Sequence, residues 1–213
     1  MADQSTVDAV NKLLEESPNR NFPESVDLAI NLKNIDLSKP HNRVDKEIML
    51  PHGLGKSKKV CVFAKGEVGL KAKEAGVKYV YSDEDIDDLA SDKKRAKNLA
   101  KECDLFIAEA QYMPKIGKSL GTVLGPRGKM PTPLTPNKDI ADLIRSSQNS
   151  IHVRSKDRPS FHVSIGKRNE DPEKLADNID AVITGVENTL EKGRQNLRSI
   201  YVTTTMGSSV KVV

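Results

Sequence analysis

A chain of 213 residues is long enough for one large domain or two small ones, with a core that needs neither disulfides nor metals. Charged residues make up 30% of it and aromatics only 4%, with no Trp, which argues against a surface that reads single strands by stacking base upon base. The net charge of +4 is modest, so a basic balance alone names no partner. In chain order, Val7, Val10, Leu13 and Leu14 recur at helical spacing within residues 5–16, and Ser17-Pro18-Asn19 stops that helix. Val26, Leu28, Ile30 and Leu32 then alternate with Asp27, Ala29, Asn31 and Lys33, the pattern of a half-buried strand. A second strand is expected over 44–50, ended by Pro51-His52-Gly53.

The texture changes near Lys59. Val60-Cys61-Val62-Phe63-Ala64 is a nearly all-apolar run, as expected of a strand covered on both faces. A helix at 67–75, a strand at 77–81, a helix capped by Ser82 with Asp85 three residues on, and a strand at Leu105–Ala108 complete a β-α-β-α-β order. That order implies a parallel sheet between helices, a small Rossmann-like unit. A helix over 111–120, a long Gly/Pro-rich loop over 121–137 and a helix over 138–146 follow. The alternating style then returns with a strand at Phe161–Ile165. Asp171-Pro172-Glu173 opens a helix with an Asp cap and Pro in its first turn, and Leu175, Ile179, Val182, Ile183 and Val186 form its apolar stripe. Strands at 199–203 and 210–213 flank Met206-Gly207-Ser208-Ser209. The fold class expected is α/β and α+β in two domains. Residues 1–58 and 157–213 form a discontinuous α+β domain, and 59–156 form an inserted Rossmann-like, three-layer α/β domain. The two crossings, near 57–60 and 150–157, would act as a hinge.

A Rossmann-like middle raises the question of an enzyme or a nucleotide binder. Gly53-Leu54-Gly55-Lys56-Ser57 ends like a phosphate-binding loop, but Leu50 and Pro51 stand where its earlier Gly is needed, and it precedes a strand instead of following one. Gly121…Gly125-Pro126-Arg127-Gly128 is not GxGxxG, and Pro126 lacks an amide for phosphate. His41, His52, His152 and His162 show no metal-binding spacing, and no Ser stands in a GxSxG elbow. Cys61 and Cys103 stand far apart in apolar runs and read as buried reduced thiols. The expectation is no enzyme, no metal and no cofactor. Met1-Ala2-Asp3-Gln4 does not begin a secretory signal, and no apolar run is long enough to cross a bilayer, so a cytoplasmic protein without membrane contact is expected.

Charge is segregated along the chain. Between Glu109 and Asp139 there is no acid, yet Lys115, Lys118, Arg127, Lys129 and Lys138 fall there, while acids crowd Asp83 to Asp92. The stretch after Glu191, with Lys192, Arg194, Arg198 and Lys211, is also free of acids. Charge alone leaves positive binding faces and solvated loops both open. Three segments stand out. Leu124 to Pro133 holds three Pro and two Gly, cannot be a helix or central strand, and carries Arg127 and Lys129; it reads as a binding loop or as a rigid connector. Thr203-Thr204-Thr205-Met206-Gly207-Ser208-Ser209 offers five hydroxyls around a Met-Gly turn, suited to phosphate and 2′-OH, or forms an ordinary Thr-rich hairpin. In Arg20-Asn21-Phe22-Pro23-Glu24-Ser25, Phe22 either stacks on a base or, the better reading of the residues alone, caps the core.

Together these segments resemble the large-subunit ribosomal protein one family, the universal stalk proteins. The resemblance spans essentially the whole chain. Its most specific piece is LGPRGKMPTP at 124–133. Phe22–Asp36, Leu50–Lys56, His162 with Gly166-Lys167, Lys174–Asn178 and Tyr201–Gly207 support it in order, and Asn31–Asp36 with Lys39–Arg43 look archaeal. Ser208 departs from the Pro that bacterial relatives commonly carry there. The resemblance implies a structural, non-enzymatic protein that binds a three-helix junction of large-subunit rRNA. That junction forms the mobile stalk near the tRNA exit site, where the family assists release of deacylated tRNA. It also implies translational repression through the protein's own mRNA leader or coding region, and a monomer when free. Carried over residue by residue, the RNA contacts would be Phe22, Glu24, Lys33, His162, Lys167, Thr204, Thr205, Met206 and Gly207. Gly125, Arg127, Gly128 and Lys129 would make a secondary RNA contact or an interdomain loop. The alternative is a nucleotide-binding or metabolic regulator that uses the Rossmann-like domain.

Overall fold

The computed structural model describes residues 3–18, 20–134 and 139–212. In chain order the elements are α1 (Gln4–Glu16), β1 (Ser25–Leu32), β2 (Asp45–Met49), β3 (Val60–Phe63), α2 (Gly66–Glu74), β4 (Tyr79–Tyr81), α3 (Asp83–Ser91), α4 (Lys93–Glu102) and β5 (Leu105–Glu109). They continue with α5 (Met113–Ser119), α6 (Gly121–Leu124), β6 (Thr132–Leu134), α7 (Ile140–Asn149), β7 (Ser150–Arg154), β8 (Ser160–Lys167), α8 (Pro172–Glu187), β9 (Leu197–Thr204) and β10 (Ser209–Lys211). The chain divides into two compact units. One comprises residues 1–56 with 149–213, and the other residues 57–148. The fold is mixed α/β, with antiparallel sheets in the first unit and a parallel sheet in the second.

The first unit rests on a sheet of order β10-β9-β1-β8, antiparallel throughout. The alternation read along β1 is observed: Val26, Leu28, Ile30 and Leu32 are buried, and the residues between them are half-exposed. The buried side joins Val10 and Leu13 of α1 and Leu175, Ile179, Val182 and Val186 of α8 in one core. Asp171 caps α8 by accepting from the Glu173 amide, with Pro172 in the first turn, as the sequence indicates. A separate antiparallel pair, β2 with β7, adds Ile48, Ile151 and Val153 to that core.

Strand β7 was not foreseen, and it moves the second crossing. Ser150–Arg154 pairs with Asp45–Met49, so the boundary falls between 148 and 149, ahead of the expected 156. The first crossing falls after residue 56, two residues ahead of the expected 58.

In the inserted unit the strands are all parallel, in the order β4-β3-β5-β6. Cys61 and Phe63 pack with Ile86, Leu89, Leu99 and Ile116 on one face, while Val60 and Val62 pack with Ala72, Leu143 and Ile144 on the other. Both faces of β3 are covered, which is why it reads as an unbroken apolar run. Cys61 and Cys103 are free and buried, and burial pushes the Cys61 thiol well above its ordinary range. Two helices, not one, connect β4 to β5. Ser82 and Asp85 form a reciprocal capping box at the start of α3, and Asp92 then caps α4 through the Lys94 and Arg95 amides.

The segment expected to be a continuous loop over 121–137 is more ordered where described. Gly121–Leu124 is a helical turn and Gly125–Arg127 a tighter one, with Pro126 at a helix-start position that needs no amide. Gly128 ends it at φ +66°, a conformation that favours Gly. Pro133 lies in β6, an edge strand, where a missing donor is tolerated. Residues 135–138 of the expected loop and helix, Asn19 of the first helix stop and Val213 of the last strand lie outside the described residues.

Candidate nucleic-acid interface

The start of β1 and the β9–β10 turn meet at one end of the antiparallel sheet. Ser25 pairs with Lys167, and Val26 with Thr204. The ladder runs one step further into the turn: the Thr205 amide donates to the Ser25 carbonyl at 3.1 Å. The Thr205 hydroxyl accepts from the Ser25 amide at 3.1 Å and donates to the Ser25 carbonyl at 3.3 Å. Its hydroxyl is therefore engaged within the protein, and the turn is a built extension of the sheet.

Glu24 organises what surrounds it. Only 1% of the residue is exposed, so its carboxylate faces inward. One oxygen accepts from the Met206 amide at 3.1 Å and lies 3.5 Å from Nε of Arg20. The other makes no hydrogen bond and lies 3.6 Å from a guanidinium nitrogen of Arg168. Arg20 also donates to the Met206 carbonyl at 3.1 Å, so both polar groups of the Met206 backbone are held by this charge cluster. Arg168 further donates to the carbonyls of Pro18 (2.6 Å), Leu14 (3.4 Å) and Ser17, the unpaired end of α1. A guanidinium fork suits several acceptors at once, and a cation at a helix C-terminus is favourable.

Gly207 is required by close approach. A Cβ there would lie 2.3 Å from Oγ1 of Thr204 and 2.7 Å from Oγ of Ser17, both in buried residues. With its backbone fixed, the turn presents Met206, 61% exposed, and the adjoining segment presents Phe22, 44% exposed. Phe22 thus does not cap the core, contrary to the reading of the residues alone.

The structure brings together Phe22, Glu24, Lys167, Thr204, Thr205, Met206 and Gly207. Within that group Glu24 and Thr204 are buried supports of the turn. His162 is exposed opposite Ala29, midway along the sheet. Lys33 is exposed beyond the far end of β1, about 26 Å from Ser25 at strand rise. Between these points the open sheet face carries a polar chain: Ser160 donates to Asn31, which donates to Ser199. Arg168 was not singled out from sequence, and Ser17 and Ser25 were named only within a helix stop and the segment entering β1. Nothing in a run such as Lys167-Arg168 tells which cation turns inward.

Gly125, Arg127, Gly128 and Lys129 belong to the inserted unit. Lys129 donates to the carbonyls of Ala100 and Cys103, and Arg127 to that of Lys97, so both cations brace α4. The Gly53–Gly55 segment offers no phosphate cradle. A carboxylate oxygen of Glu170 sits 1.6 Å from where a Cβ on Gly55 would be, and burial raises the Glu170 pKa. The buried Asn178 fixes that segment by donating to the Gly53 carbonyl and accepting from the His52 amide. Among the described residues no cluster of His, Cys, Asp and Glu could hold a metal, and no helix is long and apolar enough to cross a membrane.

The model of the Ribosomal protein L1p/L10e family matches residues 13–208. The chain belongs to that family. Among curated relatives of this L1 chain, Large ribosomal subunit protein uL1 of Methanosarcina barkeri is 63% identical over the full length of both chains. The same-named protein of Methanococcoides burtonii is 61% identical over the full length of both. That of Haloferax volcanii is 49% identical over 100% of this chain and 99% of its own. The L1 relatives carry the names of structural ribosomal proteins and not of enzymes, in line with the archaeal character read from sequence.

Proposed function

We propose that this L1-family chain is a structural protein of the large ribosomal subunit that binds a three-helix junction of large-subunit rRNA. The observation that carries the proposal is the clamped turn at one end of the β9-β1-β8 sheet. It offers exposed Met206 and Phe22 beside Lys167 on a backbone already held by Arg20, Glu24 and Arg168. Folded RNA is recognised by shape, phosphates and 2′-hydroxyls, and a preformed surface loses little entropy when it docks. Phe22 and Met206 would pack on ribose or base faces, and Lys167 would meet phosphate. The names of the relatives favour the ribosome as the place of action. In this role the protein forms the stalk near the tRNA exit site in the cytoplasm and helps deacylated tRNA to leave. As a free monomer it turns the same surface on a like structure in its own mRNA and represses translation.

The test is a titration of a transcribed junction fragment across salt concentrations, with unrelated RNA as control. Three to five engaged cations predict a log–log slope of roughly −2 to −5. Met206→Ala should weaken binding without changing that slope. A slope near −10 with equal affinity for unrelated RNA would mean that charge alone holds RNA, and the turn would not be the site. A fragment of the protein's own mRNA that failed to compete with the junction would remove the repressor role.

A further inference from the structure

The inserted unit carries a second charged surface that the turn does not use. Helix α4 buries Ala96, Leu99 and Ala100, which lie on one side of the helix. At 3.6 residues per turn, Lys94, Lys97 and Lys101 fall within roughly 60° of arc on the opposite side and rise over roughly 10 Å. All three are exposed, as are Lys93 on the flank and Arg127, which is tied to the Lys97 carbonyl. Among the described residues none of these five cations is in an ion pair. The neighbouring acids are engaged elsewhere. Asp92 caps the helix, Glu102 accepts from Tyr79, and Asp104 accepts from the Lys59 amide.

This arrangement works against the free protein. Lys93, Lys94 and Arg95 occupy the first turn, where the helix dipole disfavours cations, and that turn holds no acid. Like charges three and four residues apart repel. The adjacent α3 is the reverse, with three acids in its first turn and with Asp83 and Asp87 both paired to Lys115. Among the described residues the acidic helix thus has a cation partner, while no cation of the basic helix is in an ion pair. Lys is depleted at the cores of protein interfaces, where aromatic anchors are the rule. A line of flexible point charges without an exposed aromatic suits regularly spaced phosphates.

We propose that the outer face of α4, with Arg127, is a second RNA-binding surface, one that takes the phosphate backbone of an RNA helix without reading its sequence. The inference rests on the RNA-borne role proposed above, and its test keeps the two apart. The probes are a 20-base-pair RNA duplex lacking the junction and the junction fragment itself, each titrated against the full chain across salt. Replacing Lys94→Gln, Lys97→Gln and Lys101→Gln together should cut duplex affinity about tenfold and flatten its slope by about 2–3 units. The junction should still bind the triple variant through the turn. The melting temperature should rise by about 1–3 °C, because repulsion and dipole conflict are relieved while helix propensity is nearly unchanged. A control triple of exposed cations in the other unit, Lys12→Gln, Lys46→Gln and Lys156→Gln, should leave duplex binding nearly intact. Unchanged duplex binding in the α4 variant, or an equal loss in the control, overturns the proposed surface. A wild-type chain that binds neither probe overturns the RNA role from which it starts.

Discussion

Replacing Glu24 with Gln isolates what the buried carboxylate does. The change keeps the shape but removes the charge that faces Arg20 at 3.5 Å and Arg168 at 3.6 Å. A Gln oxygen could still accept from the Met206 amide, and its NH2 would then point at the Arg168 guanidinium, donor against donor. Removing one partner of a buried ion pair costs about 3–5 kcal/mol. Arg168 keeps three carbonyl acceptors at the end of α1, so the larger part of its hydrogen bonding survives. The expected loss is therefore about 2–3 kcal/mol, which for a domain of this size lowers the melting temperature by about 8–12 °C. The Met206 turn should loosen together with the fold, and affinity for the junction RNA should fall by about tenfold at a temperature where the variant is still folded. The assays are thermal melting followed by circular dichroism and RNA titration at 20 °C. A variant that melts like the wild type yet loses binding would make Glu24 a direct RNA contact and refute the clamp. A variant unchanged in both would leave the cluster without consequence for either.

Four further outcomes can be checked on the same protein. Thr205→Val should weaken junction binding and lower stability by about 1 kcal/mol, because the Ser25 amide loses its acceptor; a binding loss without any change in melting would place the hydroxyl on the RNA instead. Gly207→Ala should lower junction affinity more than Met206→Ala, since its Cβ would displace Thr204 or Ser17; equal affinity to wild type would show that the turn yields without consequence. Glu170→Gln should stabilise the protein at neutral pH. Burial raises the Glu170 pKa, so the folded state prefers the protonated acid, and wild-type stability improves as pH falls through that raised value. The gap between the two proteins should therefore close below about pH 4, and a gap that widens on acidification would contradict the sign. Lys129→Met should cost about 1–2 kcal/mol by uncapping α4 and leave the salt slope of junction binding alone; a slope flattened by about one unit would make Lys129 an RNA contact.

Much of the fold was legible because it depends on local pattern. The alternation of Val26, Leu28, Ile30 and Leu32, the Asp171-Pro172 helix start and the Ser82–Asp85 box each state their structure within a few residues. The unbroken apolar run at β3 likewise announced a sheet covered on both sides. Strand β7 was not legible. It follows helix α7 without a turn signal, and only its pairing with β2, over a hundred positions earlier, makes Ser150–Arg154 a strand. At the candidate site, the Met-Gly turn, Phe22, Glu24 and Thr204 could be named from sequence, but not that Glu24 and Thr204 face inward as supports. Glu24 is buried between Arg20, four residues before it, and Arg168, far along the chain, and no local pattern shows that Arg168 faces inward while the adjacent Lys167 stays half-exposed. Arg127 and Lys129 read as free loop cations until the carbonyls of α4 that they serve are seen.

The sheet order β10-β9-β1-β8 also bears on how the protein is made. Glu24 and the Met206 amide that it accepts stand 182 positions apart. At 5–20 residues per second, the ribosome needs about 9–36 s to add that stretch, during which β1 waits for its central partner β9. The inserted unit is one continuous segment and can be complete long before then. The clamped turn is thus among the last features to exist on a nascent chain. A chain cut short before Thr204 would lack it entirely, so the capacity to grip RNA through this turn is withheld until synthesis has nearly ended.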